Sequence, residues 1–436
     1  MPAFVTLDGL ALRTPDGRPL FENLTLSLGA ERTGLVGRNG AGKTSLLGAI
    51  AGELAPAAGA IARRGSVGLL RQLAEPPAGA TVAEVMGLAE PLARLRRIEA
   101  GEGTAEDLAE ADWALEARLE AALAELGLGG LDPRRPAASL SGGQLTRASL
   151  AALLARAPDL LLLDEPTNNL DAAGRARVAE TLGGWRGGAL VVSHDRALLR
   201  RMDRIVELSS LGARLYGGGY DLYAERRAAE DAAAARALAD ARAGLARVGR
   251  ETQLAAERKA RRDAAGRRTR AKGDAPKMLL DAKAERAEAT GGRQSRLAER
   301  LKADAGERLA EAEANVERVR RLAFDLPPSG LPAGRTVLVF ERAGFAYADG
   351  SPVLSDVSFR LVGPERVAVS GPNGAGKTTL IRLACGELAP TSGRVRLGVA
   401  AALLDQQTAM LRPEESLTEA FLRLNPDASL NPAHAA

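Results

Sequence analysis

Two segments, GRNGAGKT (Gly37 to Thr44) and GPNGAGKT (Gly371 to Thr378), share the pattern G-x-x-x-x-G-K-[ST]. Glycines at these places let successive backbone N–H groups turn inward toward phosphates. Lys43 or Lys377 then reaches the β- and γ-phosphates, and Thr44 or Thr378 offers a hydroxyl to Mg²⁺. Arg38, Asn39, Gly40, Ala41, Gly42 and Ser45 complete the first candidate cradle. Pro372, Asn373, Gly374, Ala375, Gly376 and Thr379 complete the second. Downstream of the first loop, LLLLDEPTNNLD (Leu160 to Asp171) is an apolar run ending in two carboxylates. Asp164 is the candidate Mg²⁺ ligand, often through water, and Glu165 the candidate to orient or deprotonate an attacking water. A strand end with an acidic turn is the plainer alternative. VVSHDRALL puts His194 after a second short apolar run, in reach of a γ-phosphate or that water, although a lone histidine is more often structural. LSGGQ (Leu140 to Gln144) precedes LTRASLAALLARAP, so Ser141, Gly142, Gly143 and Gln144 fall at a helix N-terminus, as an anion site or as a simple cap.

The elements that must position these residues follow from an internal repeat. At an offset of 334 residues, GLVGRNGAGKTSLLGAIAGELAPAAGAI (34–61) overlays AVSGPNGAGKTTLIRLACGELAPTSGRV (368–395), and half of the 28 positions are identical. The same offset carries Gln72 onto Gln406 and NLTLSL near Asn23 onto DVSFRL near Asp356. Each copy reads as strand, phosphate loop, helix and a Gly/Pro-punctuated return to a strand. That order belongs to a mixed α/β nucleotide-binding core of the P-loop NTPase type. The apolar run before Asp164 fits a strand buried on both faces beside the loop.

Between the copies, from about Ala224 to Leu322, the chain turns to Ala, Arg and Glu without an aromatic residue. Leu238 and Leu245, then Leu297, Leu301, Leu309 and Val316, recur at helical spacing, as in two long amphipathic helices. Gly266, Gly273 and Pro276 interrupt the pattern, which predicts an antiparallel hairpin with its tip near 266–277, and Gly291 and Gly292 invite a kink in the returning helix. A helix of about 40 residues is about 60 Å long, so the tip would project well beyond the domains. The expected divisions are a first nucleotide-binding domain over 4–223, a charged hairpin linker over 224–335, and the first part of a second such domain over 336–436.

Charge supports a polyanionic partner at that hairpin. Residues 224–330 hold 25 Lys/Arg against 18 Asp/Glu, an excess of +7 in a chain of net charge +4. Only seven of the 59 basic residues are Lys; two sit in the phosphate loops and five in the linker. From Arg258 to Lys277 lie nine basic residues (Arg258, Lys259, Arg261, Arg262, Arg267, Arg268, Arg270, Lys272, Lys277) against Asp263 and Asp274. Without aromatics to stack on bases, contact would go to phosphates and RNA shape and would weaken steeply with salt. A solvated helical face is the alternative. The single cysteine, Cys385, rules out an intramolecular disulfide and lies in an apolar stretch, and two histidines leave little for a histidine metal centre. No apolar run approaches the roughly 18 residues of a membrane span, and the start reads as a strand, so the expected location is the cytoplasm.

Taken together, these motifs resemble the ATP-binding cassette (ABC) family. LSGGQ lies 20 positions before Asp164, behind a phosphate loop and Gln72 and ahead of an SHD segment. The resemblance implies an ABC ATPase fold, ATP and Mg²⁺ as ligands, roles for Gln72 and Gln406 beside the metal and nucleotide, and hydrolysis of ATP. It also implies cassettes that pair head to tail, LSGGQ of one closing over ATP held by the loop of the other. TNNLD (167–171), RLYGGGYDLYAERR (214–227) and a charged hairpin between two cassettes are similar to the F subfamily, over nearly the whole chain. That likeness implies a ribosome-associated ATPase, in translation or in antibiotic resistance, whose linker, here 267–290, reaches toward tRNA and rRNA. The alternative is the ATPase subunit of an ABC transporter with a separate membrane partner. A DNA-repair ATPase fits less well, because its longer coiled coil would interrupt a cassette rather than join two.

The sequence departs from that pattern after Gln406, where no second signature, acidic strand or SHD-like segment occurs before Ala436. The fold expectation is therefore one cassette, a helical hairpin linker and a partial second cassette. Tyr347 in FAYADG would stack on adenine in the second site, where the first cassette has Pro15. Neither composite site is complete in one chain. Two accounts follow: a truncated or fragmentary two-cassette protein, or two chains that pair through their first cassettes and rebuild two whole sites.

Overall fold

The computed structural model describes residues 3–71, 76–209, 212–271, 296–313, 330–347, 350–404, 411–412 and 414–424. The chain divides into two compact units, Met1–Leu322 and Ala323–Ala436.

The first unit opens with strands β1 (Val5–Arg13), β2 (Pro19–Leu28) and β3 (Arg32–Gly37), helix α1 (Lys43–Ala51), and strands β4 (Ala58–Arg63) and β5 (Val67–Leu70). A helical stretch follows: α2 (Val82–Val85), α3 (Ala89–Glu99), α4 (Ala105–Glu110), α5 (Leu115–Glu125) and α6 (Gly142–Ala155). Then come β6 (Leu160–Asp164), α7 (Ala172–Gly184), β7 (Gly188–Val192), α8 (Arg196–Leu199), β8 (Arg204–Ser209), β9 (Gly212–Gly217) and the long helix α9 (Tyr220–Ala271). Residues 296–313 form a further helix, α10.

Two sheets result. β2, β1 and β4 make an antiparallel three-stranded sheet, while β5-β6-β7-β3-β8-β9 make a six-stranded sheet, parallel except for the β8/β9 pair. The central strands separate two cores by strict alternation. Leu160, Leu162, Leu190 and Val192 face the core shared with α1 and the small sheet, whereas Leu161, Leu163, Ala189 and Val191 face the core shared with the helical stretch. A run of four leucines has no polar face to give to water, which is why β6 sits in the middle of a parallel sheet with every residue buried. The expected α/β nucleotide-binding core is thus the architecture observed.

The second unit contains β10 (Arg335–Ala346), β11 (Pro352–Gly363), α11 (Lys377–Cys385), β12 (Ser392–Leu397) and α12 (Leu417–Leu424). Its antiparallel sheet, order β11-β10-β12, repeats the small sheet of the first unit, and its core gathers Leu338, Phe340, Ala343, Phe345 and Leu383, with Phe340 stacked on Phe359 at 4.6 Å. One expectation fails here. The segment RVAVSG (366–371), the counterpart of β3, is not a strand, and Val367 and Val369 are exposed. β3 is held by β7 on one side and β8 on the other. Among the described residues of the second unit no strand corresponds to either, so the backbone N–H and C=O groups of 366–371 have no ladder to join.

The linker also differs from its reading. α9 continues through Gly266 to Ala271, because one glycine among Ala and Arg costs only about 1 kcal/mol relative to Ala and long helices tolerate it. Gly273, Pro276, Gly291 and Gly292, and with them the expected tip, lie outside the described residues. Residues 234, 238, 241, 245, 248 and 252 of α9 form a half-buried stripe, and Arg242 meets Glu313 of α10 at 3.3 Å across 71 residues of sequence. That contact brings the last described turn of α10 beside the middle of α9. Leu297 and Leu301, placed by spacing in the apolar seam, are exposed, as is Leu254. No helix among the described residues is long and apolar enough to cross a membrane.

Candidate active site

The first phosphate loop is strung between β3 and α1. At Gly37 a side chain is impossible: a Cβ there would stand 2.3 Å from the carbonyl oxygen of Leu208 on the neighbouring β8. Gly42, at φ 91°, turns the chain left-handed into the first turn of α1, a geometry that L side chains resist. These two requirements aim the loop N–H groups and the N-terminus of α1 at one point. Lys43 Nζ donates to the carbonyls of Gly37 and Arg38 at 2.8 and 3.0 Å, so the ammonium is held over the loop rather than waving in solvent. Burial pushes its pKa down, and the carboxylates of Glu165 and Asp164 oppose that shift, which places all three groups in one electrostatic neighbourhood. Arg38, Asn39, Gly40 and Thr44 are exposed on the loop, while Ala41 and Ser45 are half-buried.

Asp164 and Glu165 stand at the C-terminal end of β6, where open parallel sheets present their ligands. Asp164 is buried. Glu165 leaves the strand in the left-handed region at φ 49°, held by its N–H donating to the carbonyl of Val192 at 2.9 Å. Strain of this kind at a non-glycine residue persists only where surroundings over-determine it. The turn re-aims the carboxylate toward His194: the His194 N–H donates to Glu165 Oε2 at 3.3 Å, and His194 Nε2 lies 3.4 Å from Glu165 Oε1. Glu165 Oε1 is buried without a hydrogen-bond partner. Burial raises the Glu165 pKa, with His194 the largest opposing influence. A basic, desolvated carboxylate with an unclaimed acceptor is suited to take a proton from water.

The expected Mg²⁺ can be tested against these groups. No cluster of three His, Cys, Asp or Glu side chains suited to a metal occurs among the described residues. A buried Asp164 and the Thr44 hydroxyl beside a phosphate cradle are instead the sparse donor set of a Mg²⁺ completed by phosphate oxygens and water, so the residues fit.

Elsewhere the placement is mixed. Ser141 is the N-cap of α6 and forms a reciprocal capping box with Gln144: the Gln144 N–H donates to Ser141 Oγ at 3.2 Å and the Ser141 N–H donates to Gln144 Oε1 at 2.8 Å. The cap reading of LSGGQ is therefore the one observed: the box fixes the helix start, and Ser141 and Gly142 stay exposed. In the second unit Gly376 has φ 82°, and Lys377 Nζ donates to the carbonyls of Gly371 and Pro372 at 2.9 and 2.7 Å, the same posture as Lys43. Pro372, Asn373, Gly374, Ala375 and Thr378 lie exposed on this loop. Thr379 is buried and its hydroxyl lies 3.1 Å from that of Tyr347, whose half-exposed ring stands edge-on to Phe345 at 5.0 Å. Gln72 and Gln406 lie outside the described residues.

The structure adds residues that spacing did not point to. A cavity of about 320 Å³ opens behind the first loop, walled by Gly37, Arg38, His194, Glu207, Tyr220 and Tyr223 among others. Glu207, buried on β8, pairs with Arg227 at 3.0 Å and accepts from the Tyr223 hydroxyl at 3.0 Å. A pair of tyrosines three residues apart at the start of a helix was the available signal in YDLYAERR.

With this geometry in place, the comparisons are specific. The family described as ABC transporter matches residues 21–168 and 354–432. The tylosin resistance ATP-binding protein TlrC of Streptomyces fradiae is 33% identical over 97% of this chain and 79% of its own length. The energy-dependent translational throttle protein EttA of Mycobacterium tuberculosis is 33% identical over 92% of this chain and 69% of its own. The ATP-binding protein Uup of Caulobacter vibrioides is 35% identical over 89% of this chain and 54% of its own.

Proposed function

We propose, from the premise that the chain belongs to the ATP-binding cassette family and within it to the ABC-F proteins, that it couples ATP hydrolysis to engagement of the ribosome through its basic linker. The chain is an ABC-type ATPase by family. The observation that carries the finer reading is the position of the linker: a 52-residue helix rooted beside the first site and ending in the basic run from Arg258 onward. Relatives named for a translational throttle and for resistance to tylosin support the same direction. The roles follow the site. Loop N–H groups and Lys43 bind the phosphates, Thr44 and Asp164 hold Mg²⁺, Glu165 takes the proton of the attacking water, and His194 steadies Glu165 and the γ-phosphate. When bound, the metal neutralises charge on the phosphates. Lys377, Thr378 and the rest of the second loop bind a further ATP, with Tyr347 at its adenine, and Gln72 and Gln406 serve the metal and nucleotide. The domains implied are 4–223, 224–335 and 336–436, the linker carrying the RNA contact.

Sedimentation with ribosomes, in ATP and across a salt series, tests the reading. Glu165→Gln should trap the ATP-bound form on ribosomes, and association should fall steeply with salt. Co-fractionation with membranes instead of ribosomes favours the transporter-subunit alternative. Head-to-tail pairing of first cassettes from two chains predicts ATPase that rises faster than linearly with protein concentration. Linear activity from a monomer in ATP counts against that pairing.

A further inference from the structure

The contacts around α8 suggest a role for the root of the linker helix. Asp195, the residue after His194, caps α8 through the N–H groups of Ala197 and Leu198. The Arg196 guanidinium carbon lies 5.5 Å from the centre of the Tyr220 ring, a cation–π distance. Arg200 Nε donates to both carboxylate oxygens of Asp221 at 2.9 and 3.0 Å. Gly219 packs so closely that a Cβ on it would stand 2.6 Å from the Arg200 carbonyl oxygen. Gly219 and the first two residues of α9 therefore grip the one turn that follows His194. On its other side the same helix is fixed by the buried Glu207 on β8, through Arg227 and Tyr223. The residue after Glu207, Leu208, is the one whose carbonyl bears on Gly37. His194 itself is well exposed, so its direction depends on the backbone turn that presents it.

We propose that Tyr220 and Asp221 are positioning residues for His194, and that the α9 root thereby transmits movement of the linker to the first ATP site. The inference rests on the catalytic reading of His194 and Glu165 given above. A helix of 52 residues spans about 78 Å at about 1.5 Å per residue, so a displacement at the linker end reaches α8 as a small rotation at its root. The coupling is reciprocal: whatever ATP does to His194 is felt by the helix.

The chain's two histidines, His194 and His434, make the test direct. Full-length protein carrying [¹³Cε1]-histidine gives two imidazole signals, and His194→Gln identifies the first. Asp221→Ala, Arg200→Ala and Tyr220→Leu should each displace the His194 signal by more than a linewidth in the presence of Mg²⁺ and ATP. Tyr220→Phe, which keeps the ring, and the exchange of charges Arg200→Asp with Asp221→Arg should restore it. Turnover should fall about threefold to tenfold with the ATP KM within twofold, the sign of a positioning rather than a binding defect. Should Tyr220→Leu fail to fold, the exposed Arg200/Asp221 pair still decides. A His194 signal unmoved in the pair's variants overturns the proposal, even where turnover is too slow to measure. So does a displaced signal with unchanged turnover in a chain whose turnover Glu165→Gln abolishes. If Glu165→Gln leaves turnover intact while the signal moves, it is the catalytic reading that falls and the mechanical link that stands.

Discussion

Glu165→Gln should make the first unit more stable while removing its chemistry. The Glu165 side chain is 11% exposed, and its Oε1 has no hydrogen-bond partner. Burial penalises the ionised carboxylate, a penalty that a neutral amide of the same shape escapes. Attraction to His194 and Lys43 offsets part of this and is lost with the charge, so the expected gain is about 1 kcal/mol. For a unit of this size that is a rise in Tm of about 1–2 °C. The pH dependence carries the sign. Because burial raises the Glu165 pKa, the folded state takes up the proton before the unfolded one, and wild-type stability from this group falls as pH rises toward neutrality. The variant cannot ionise, so its advantage should be largest near neutral pH and should vanish below the ordinary carboxylate range. Both tryptophans, Trp113 and Trp185, lie in the first unit, so their fluorescence during urea unfolding at a series of pH values follows that unit alone. A variant less stable than its parent at pH 7, or an advantage that persists unchanged into acid, refutes this account of the site.

Lys43→Met should weaken ATP binding roughly tenfold to a hundredfold, the loss of one or two charge-assisted hydrogen bonds at about 1.5–3 kcal/mol, read by calorimetry in a Lys377→Met background so that one loop is titrated. Arg227→Met leaves the buried Glu207 carboxylate without its guanidinium; removing one partner of a buried pair costs about 3–5 kcal/mol, less here because Tyr223 still donates, so about 2 kcal/mol should be lost in urea, and Glu207→Gln in the same chain should recover most of it. Replacing Arg258, Arg261, Arg262 and Arg268 by Gln should lower ribosome affinity and flatten its salt dependence together; a loss of affinity with an unchanged salt slope excludes phosphate contact by this run. The second unit should melt first: calorimetry should show a transition below the one that tryptophan fluorescence reports, because among the described residues 366–371 has no counterpart of the two strands that hold β3.

What could be read from the sequence divides by range. Features whose cause is local were legible: the two loops, the four leucines that demand a strand buried on both faces, and the cap written in Ser141 and Gln144. Features that depend on distant partners were not. RVAVSG alternates like a strand, but among the described residues it has no neighbouring strand on either side to pair with. Glu165 in a left-handed turn is invisible in DEP, because the turn is imposed by the Val192 carbonyl from the next strand. Gly266 is the opposite case: a glycine reads as a break, yet the helix-forming residues around it carry α9 through. The grip of Gly219, Tyr220 and Asp221 on α8 joins segments that share no motif.

The two phosphate loops differ in what leads into them and agree in shape. Gly42 and Gly376 turn at φ 91° and 82°, and each lysine bonds the same two carbonyls of its own loop, although one loop follows a sheet strand and the other an irregular segment. The conformation is thus written within the loop and its helix, independent of the sheet. On the function proposed above, holding a nucleotide and cleaving it are then separable inheritances: a short duplicated stretch would pass on the first, while the second would travel only with the strands that bring Asp164, Glu165 and His194 alongside.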